Sequence, residues 1–167
     1  MVDILTLRLD EPSQQHFDSL RQQYFPPERN QIPAHLTLFH ALPAEPEIAA
    51  HLAEAAGTCA GFTLRVTGVR SLGKGVAYKL AAPELQLLHA DLATHFADVL
   101  ISQDKARLQP HVVVQNKTTA AAARQLLEQL TQQFAPWVVT AEGLDLWHYL
   151  GGPWQHVHTF PFRQAGS

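Results

Sequence analysis

Two short runs decide how this chain is read: His35-Leu-Thr-Leu-Phe39, preceded by Pro33-Ala34, and His111-Val-Val-Val-Gln115, preceded by Pro110. Each is a β-branched or apolar run with a histidine at its head, and each reads as a strand. Side chains alternate across a strand. His35, Thr37 and Phe39 therefore share one face, and Leu36 and Leu38 the other. In the second run His111, Val113 and Gln115 share a face opposite Val112 and Val114. The Leu and Val faces should pack against helices, which leaves the histidine faces to line a cleft.

The surroundings of the two runs also match. Arg8-Leu9 followed by Pro12 corresponds to Lys79-Leu80 followed by Pro83, an offset of 83 − 12 = 71. His35 corresponds to His111 (111 − 35 = 76) and Gly68 to Gly143 (143 − 68 = 75). The element order repeats with them. Strands are expected at Ile4–Leu9, His35–Phe39 and Phe62–Leu72, then at Val76–Ala81, His111–Gln115 and Trp137–Tyr149, with a last strand at Trp154–Phe162. Helices are expected from Pro12 or Ser13 to Tyr24, at Pro46–Ala56 with Gly57 as the stop, at Pro83–Leu100, and at Thr118–Phe134 with Thr118 or Thr119 as N-cap. Gly73-Lys74-Gly75 reads as a hairpin turn, and 101–110 as a loop. The expectation is one domain over 1–167, built from repeats at about 4–73 and 75–162. An approximate two-fold would bring both histidine strands to its axis and make one site of two distant residues.

Composition sets outer limits. The 167 residues are 46% hydrophobic with a formal net charge of −3, enough for a packed core and not the balance of a sequence-independent nucleic-acid binder. No signal-like leader or run long enough to cross a bilayer is evident, so a cytoplasmic, monomeric protein is expected. The single cysteine, Cys59, rules out a disulfide framework and reads as a small apolar residue. Of the ten histidines, His16, His51, His89 and His95 fall in helices and are expected at the surface. His156 and His158 share a strand face, but no acidic or cysteine partner is near in sequence. His35 and His40 lie on opposite faces. No metal site is expected.

The paired motifs, together with Leu144-Asp-Leu-Trp147 and Gly152-Pro-Trp154, resemble the His-x-Thr/Ser repeats of the two-histidine (2H) phosphoesterases, above all the bacterial 2′-5′ RNA ligase group. The likeness spans nearly the whole chain. It implies an α+β, bilobal fold with pseudo-two-fold duplication, two antiparallel sheets facing a central cleft and helices outside. It also implies cofactor-free, metal-independent hydrolysis or transesterification of RNA or nucleotide 2′,3′-cyclic phosphates or related 2′-5′ RNA linkages, with 2′-5′ ligation as the reverse of cleaving such a linkage.

Phosphodiester cleavage needs a proton taken from the attacking oxygen and one given to the leaving oxygen. An imidazole titrates near neutral pH, so a histidine pair can divide those tasks. The sequence does not say which of His35 and His111 is base and which acid. Thr37 is the candidate donor to a non-bridging phosphoryl oxygen. The departure from the family is Val113, which has no hydroxyl. Gln115 or Asn116 is a candidate replacement donor. This departure keeps a second reading open, a weakened or inactive member that binds nucleotide or RNA ends without turnover. Further ligand contacts are expected from Arg8 and Lys79, as cations facing the cleft, and from Phe39, Trp147 and Tyr149, as aromatic faces for a base. Each has an ordinary structural alternative in solvated strand charge or sheet packing, as Lys74 does in its exposed turn.

Overall fold

A computed structural model describes residues 1–164. Strand β1 (Val2–Leu9) leads into helix α1 (Glu11–Tyr24), which Asp10 caps by accepting the Ser13 N–H. A 3-10 turn at Pro27–Arg29 precedes β2 (Leu36–Pro43) and α2 (Pro46–Thr58). The hairpin β3 (Phe62–Ser71) and β4 (Val76–Ala81) turns at Gly73, whose φ of 85° suits glycine. Helix α3 (Pro83–His95), the short α4 (Ser102–Lys105), β5 (His111–Gln115), α5 (Ala120–Gln133), β6 (Trp137–Tyr149) and β7 (Gln155–Pro161) complete the order. Thr119 caps α5 through the Ala122 N–H.

Several boundaries differ from expectation: β2 runs on to Pro43, past the expected end at Phe39. Gly57 lies inside α2, whose cap is Cys59. Helix α3 stops at His95, and the expected loop over 101–110 contains α4. Asp104 holds α4 against β2. Its buried carboxylate accepts N–H groups from His40 (2.9 Å to each oxygen) and Ala41 (3.0 Å), and the His40 Nδ1–H (2.9 Å). Burial raises the Asp104 pKa, but these donors outweigh it and hold the group below its ordinary value.

The strands are antiparallel and run β2-β1-β6-β3-β4-β5, with β7 beside β6. The two expected sheets are thus joined into one path by β6. Its first residues pair with β3 (Phe62↔Ala141 to Val66↔Trp137), while its later ones lie between β1 and β7. The core is set by the alternation of β1, where Leu5, Leu7 and Leu9 are buried, and by Leu36, Leu38, Val112 and Val114 of the motif strands. Burying such a side chain contributes about 1.5–3 kcal/mol. The outer strands of the path, β2 and β5, come into contact with each other, and α1 packs on β5. The ends of one sheet therefore meet at the two histidine motifs.

Both motif strands carry the same irregularity. Between β1 and β2 the pairing runs Leu7↔Leu36, Thr6↔Thr37, Leu5↔Phe39, so Leu38 is an extra residue. Between β4 and β5 it runs Tyr78↔Val112, Ala77↔Val113, Val76↔Gln115, so Val114 is the extra residue. These bulges are 114 − 38 = 76 residues apart, the spacing of the histidines. A bulge shifts the alternation by one. Phe39 is turned onto the face of Leu36, and Gln115 onto that of Val112.

That shift corrects two expectations. Phe39 is fully buried and stacks on His89, with ring centroids 4.6 Å apart and an 8° interplanar angle. It is a core residue and presents no face to a ligand. Gln115 is also buried, with no partner for its Oε1 among the described residues, so it does not replace the missing hydroxyl. His89, expected at the surface of its helix, is buried too, with its Nε2 3.2 Å from the Leu38 carbonyl.

Candidate active site

His35 and His111 sit at the starts of β2 and β5, in the same local geometry. His35 Nδ1–H donates to the Pro33 carbonyl at 2.9 Å, and His111 Nδ1–H donates to the Gln109 carbonyl at 2.8 Å. Each acceptor lies two residues before its histidine. A carbonyl only accepts, so it places the proton on Nδ1 and leaves Nε2 as the free, basic nitrogen. The prolines Pro33 and Pro110 favour the extended backbone at the strand entries that brings ring and carbonyl together.

The motifs cross over. His35 and Val113 line one cavity of about 390 Å3, and His111 and Thr37 line another of about 310 Å3. Each histidine is thus paired with the third residue of the other motif. His35 also borders a cavity of about 330 Å3 that contains Arg8 and Trp147. Desolvation by burial is the main cause that pushes the His35 pKa down, to about 4; the Pro33 hydrogen bond opposes it, and the positive charges of Arg21, His111 and His40 add to it. The strands that carry the two histidines touch each other.

Arg8 reaches the His35 side of the cleft, as expected, but Asp145 neutralises it at 3.3 Å. Asp145 also accepts from the Thr159 hydroxyl (2.6 Å) and lies 3.0 Å from His156 Nε2. Lys79 is exposed on β4 directly opposite His111, with its side chain running over Gly68. Trp147 donates its indole N–H to the Thr6 hydroxyl at 2.9 Å and keeps part of its ring on the cavity that holds Arg8. Tyr149 is exposed and lines the Val113 cavity.

Two contributors were not named as site residues from the sequence, although Trp154 belongs to the Gly152-Pro-Trp154 pattern. Trp154 lies with its ring centroid 4.5 Å from that of His35. Arg21, in the last turn of the polar helix α1, is buried, and its Nη1 donates to the Val113 carbonyl at 3.1 Å. Nothing local marks Arg21 as part of this site, because the Val113 carbonyl it holds is 92 residues away. Among the described residues no three or more His, Cys, Asp and Glu side chains group as a metal ion would require, and no helix is long and apolar enough to cross a membrane. His158 packs on Phe160 while His156 turns to Asp145, so the two do not act as a chelating pair.

With two histidines held alike at repeated strand entries, comparison with known proteins decides the family. The family model of the 2′-5′ RNA ligase superfamily matches residues 9–153. This chain belongs to that superfamily. Its fold is shared by TT0787 of Thermus thermophilus, with a TM-score of 0.63 at 18% identity over 99% of this chain and 100% of the other. E. coli LigT complexed with 3′-AMP superposes equally well, with a TM-score of 0.63 at 18% identity over 98% of both chains. Among curated proteins, none matches the chain in sequence. The superfamily is one of two-histidine phosphoesterases, and the two motifs of this member are His35-Leu-Thr37 and His111-Val-Val113.

Proposed function

We propose that this superfamily member is a metal-independent cyclic phosphodiesterase that opens 2′,3′-cyclic phosphates of nucleotides or RNA ends with water, and that reversible 2′-5′ ligation is the same ring opening with a ribose 5′-hydroxyl in place of water. One observation carries the reading: both histidines tie Nδ1–H to a carbonyl two residues upstream, at the heads of two strands that touch each other, and so present matched Nε2 atoms. That is what in-line displacement at phosphorus needs, a base on one side and an acid on the other.

In hydrolysis, His35 Nε2 takes a proton from the attacking water. His111, protonated, gives its Nε2 proton to the departing ribose oxygen, and the P–O bond of the ring breaks as the new one forms. The low pKa of His35 supports the base role, since its imidazole stays neutral at neutral pH. Thr37 donates its hydroxyl to a non-bridging oxygen. Lys79, beside His111, adds positive potential, and Trp147 and Tyr149 offer aromatic faces to a base. E. coli LigT structures complexed with 3′-AMP, ATP, NADP+ and phosphate support a nucleotide phosphate as the ligand class. The halves at about 4–73 and 75–162 are read as two repeats of one domain, in keeping with their matched bulges and histidine tethers.

The test is hydrolysis of a nucleoside 2′,3′-cyclic phosphate in the presence of EDTA. Wild-type protein should turn it over, and His35→Ala and His111→Ala should each lose about 100- to 10,000-fold. Val113 favours one alternative, a member that binds nucleotide or RNA ends without turnover. Binding of the cyclic phosphate or its product with no hydrolysis would establish that reading instead.

A further inference from the structure

The two cavities that adjoin His35 carry opposite charge. The cavity on the Val113 side is lined by Arg21, Arg29 and Lys117 and by no carboxylate. The cavity on the Trp147 side sets Glu11, Asp18, Glu142 and Asp145 against Arg8. Arg8 is already neutralised by Asp145. A second anionic group on a ligand held between the histidines is therefore repelled from the Trp147 side and drawn to the Val113 side.

Arg21 makes the Val113-side cavity a built site and not a patch of surface cations. It is only 3% exposed. Its Nη1 donates to the Val113 carbonyl (3.1 Å), its Nε to Asn30 Oδ1 (3.1 Å), and its guanidinium carbon lies 4.2 Å from the centre of the Phe25 ring. These contacts fix the plane of the guanidinium. Among the described residues no carboxylate lies within ion-pair distance, and Nη2 has no acceptor. Burial pushes the guanidinium pKa down, and the charge of Asp18, three residues earlier, opposes this without a direct ion pair; a planar fork left open on a cavity is matched to a phosphate.

Lys117 is placed with similar care. It is the non-glycine residue with positive φ (58°) among those described. Its N–H is held by Asn116 Oδ1 at 2.9 Å, and the next N–H, of Thr118, by the Lys74 carbonyl at 3.2 Å. A backbone held in this sparsely populated region points to a positioned side chain.

We propose that the cavity formed by Arg21, Arg29 and Lys117 is a second phosphate subsite, so that the preferred substrate is a 2′,3′-cyclic phosphate carrying a further phosphate. The proposal rests on the cyclic phosphodiesterase reading. A 5′-phosphorylated nucleoside cyclic phosphate and an RNA 3′ end, with its neighbouring phosphodiester, share this chemistry.

The experiment compares kcat/KM for adenosine 2′,3′-cyclic phosphate, its 5′-phosphorylated form, and the dinucleotide ApA ending in a 2′,3′-cyclic phosphate. At least one of the doubly phosphorylated substrates should be preferred by about tenfold or more, and which one names the source. The double variant Arg29→Ala/Lys117→Ala, at exposed positions, should bring that ratio close to one. The control Arg70→Ala/Arg107→Ala, on the His111 side, should leave the ratio standing. Equal kcat/KM for all three substrates, or a ratio that falls in the control and not in the test variant, overturns the subsite while leaving the cyclic phosphodiesterase intact. If no cyclic phosphate is hydrolysed, that catalytic reading fails and calorimetry decides the subsite. Adenosine 3′,5′-bisphosphate should then bind about tenfold more tightly than adenosine 3′-monophosphate, and the double variant should abolish the difference. Equal affinities, or no binding of the bisphosphate, overturn the proposal.

Discussion

Restoring a hydroxyl at position 113 weighs the one departure from the paired motif directly. Val113 is half-buried on the cavity it shares with His35. Its backbone is held twice, by pairing with Ala77 on β4 and by Arg21 Nη1 on its carbonyl at 3.1 Å. Threonine exchanges one methyl for a hydroxyl at almost the same volume. Since the side chain borders a cavity, that hydroxyl stays hydrated, and Val113→Thr should cost less than about 1 kcal/mol of stability. A hydrogen bond to a charged phosphoryl oxygen contributes about 1.5–3 kcal/mol. At about 1.4 kcal/mol per tenfold this is roughly a 10- to 150-fold gain in kcat/KM. The gain appears in kcat to the extent that the bond strengthens in the transition state. The assay is steady-state hydrolysis of a nucleoside 2′,3′-cyclic phosphate, with a thermal melt as the control for folding. Thr37→Val should lose a similar factor, since Thr37 faces the cavity of His111 as Val113 faces that of His35. An unchanged rate for Val113→Thr in a protein that melts normally would show that no phosphoryl oxygen visits position 113.

Three more outcomes are expected. The His35 pKa is pushed from 6.5 to about 4, so its base form persists well into acid, and kcat/KM should fall only as the pH drops through about 4; an acid limb centred near 6.5 would assign the base elsewhere. The folded chain binds fewer protons at His35 than the unfolded chain between those values, so this group makes folding less favourable as pH falls from about 6.5 toward 4. Gly75→Ala should destabilise the fold by about 3 kcal/mol or more in a denaturant melt, because the new Cβ would lie 2.0 Å from the Gln115 carbonyl oxygen; a variant with wild-type stability would mean that the end of β5 gives way easily.

The strands were legible because their signals are local. Apolar periodicity placed Val76–Ala81, His111–Gln115 and Trp137–Tyr149 at the bounds the structure shows, and Pro83, the first residue of α3, marked where that helix begins. The matched spacing of His35 and His111 likewise singled out the motif pair before any coordinate. What failed was the side to which Phe39 and Gln115 point. Alternation assumes an unbroken pleat, and the extra residues Leu38 and Val114 appear only when β2 is laid against β1 and β5 against β4. A one-residue slip sends a side chain through the sheet.

The chain by itself determined its element order, its repeated histidine motifs and the missing hydroxyl at Val113, since these depend on neighbours in sequence. Tertiary structure alone decided that Asp145 quenches Arg8, that Asp104 clamps α4 to β2, and that Arg21 stands buried beneath a cavity without a carboxylate. The reason is range. Backbone preference and periodicity act over a few residues, whereas the charge balance of a cavity sums over groups that meet only when distant segments fold together.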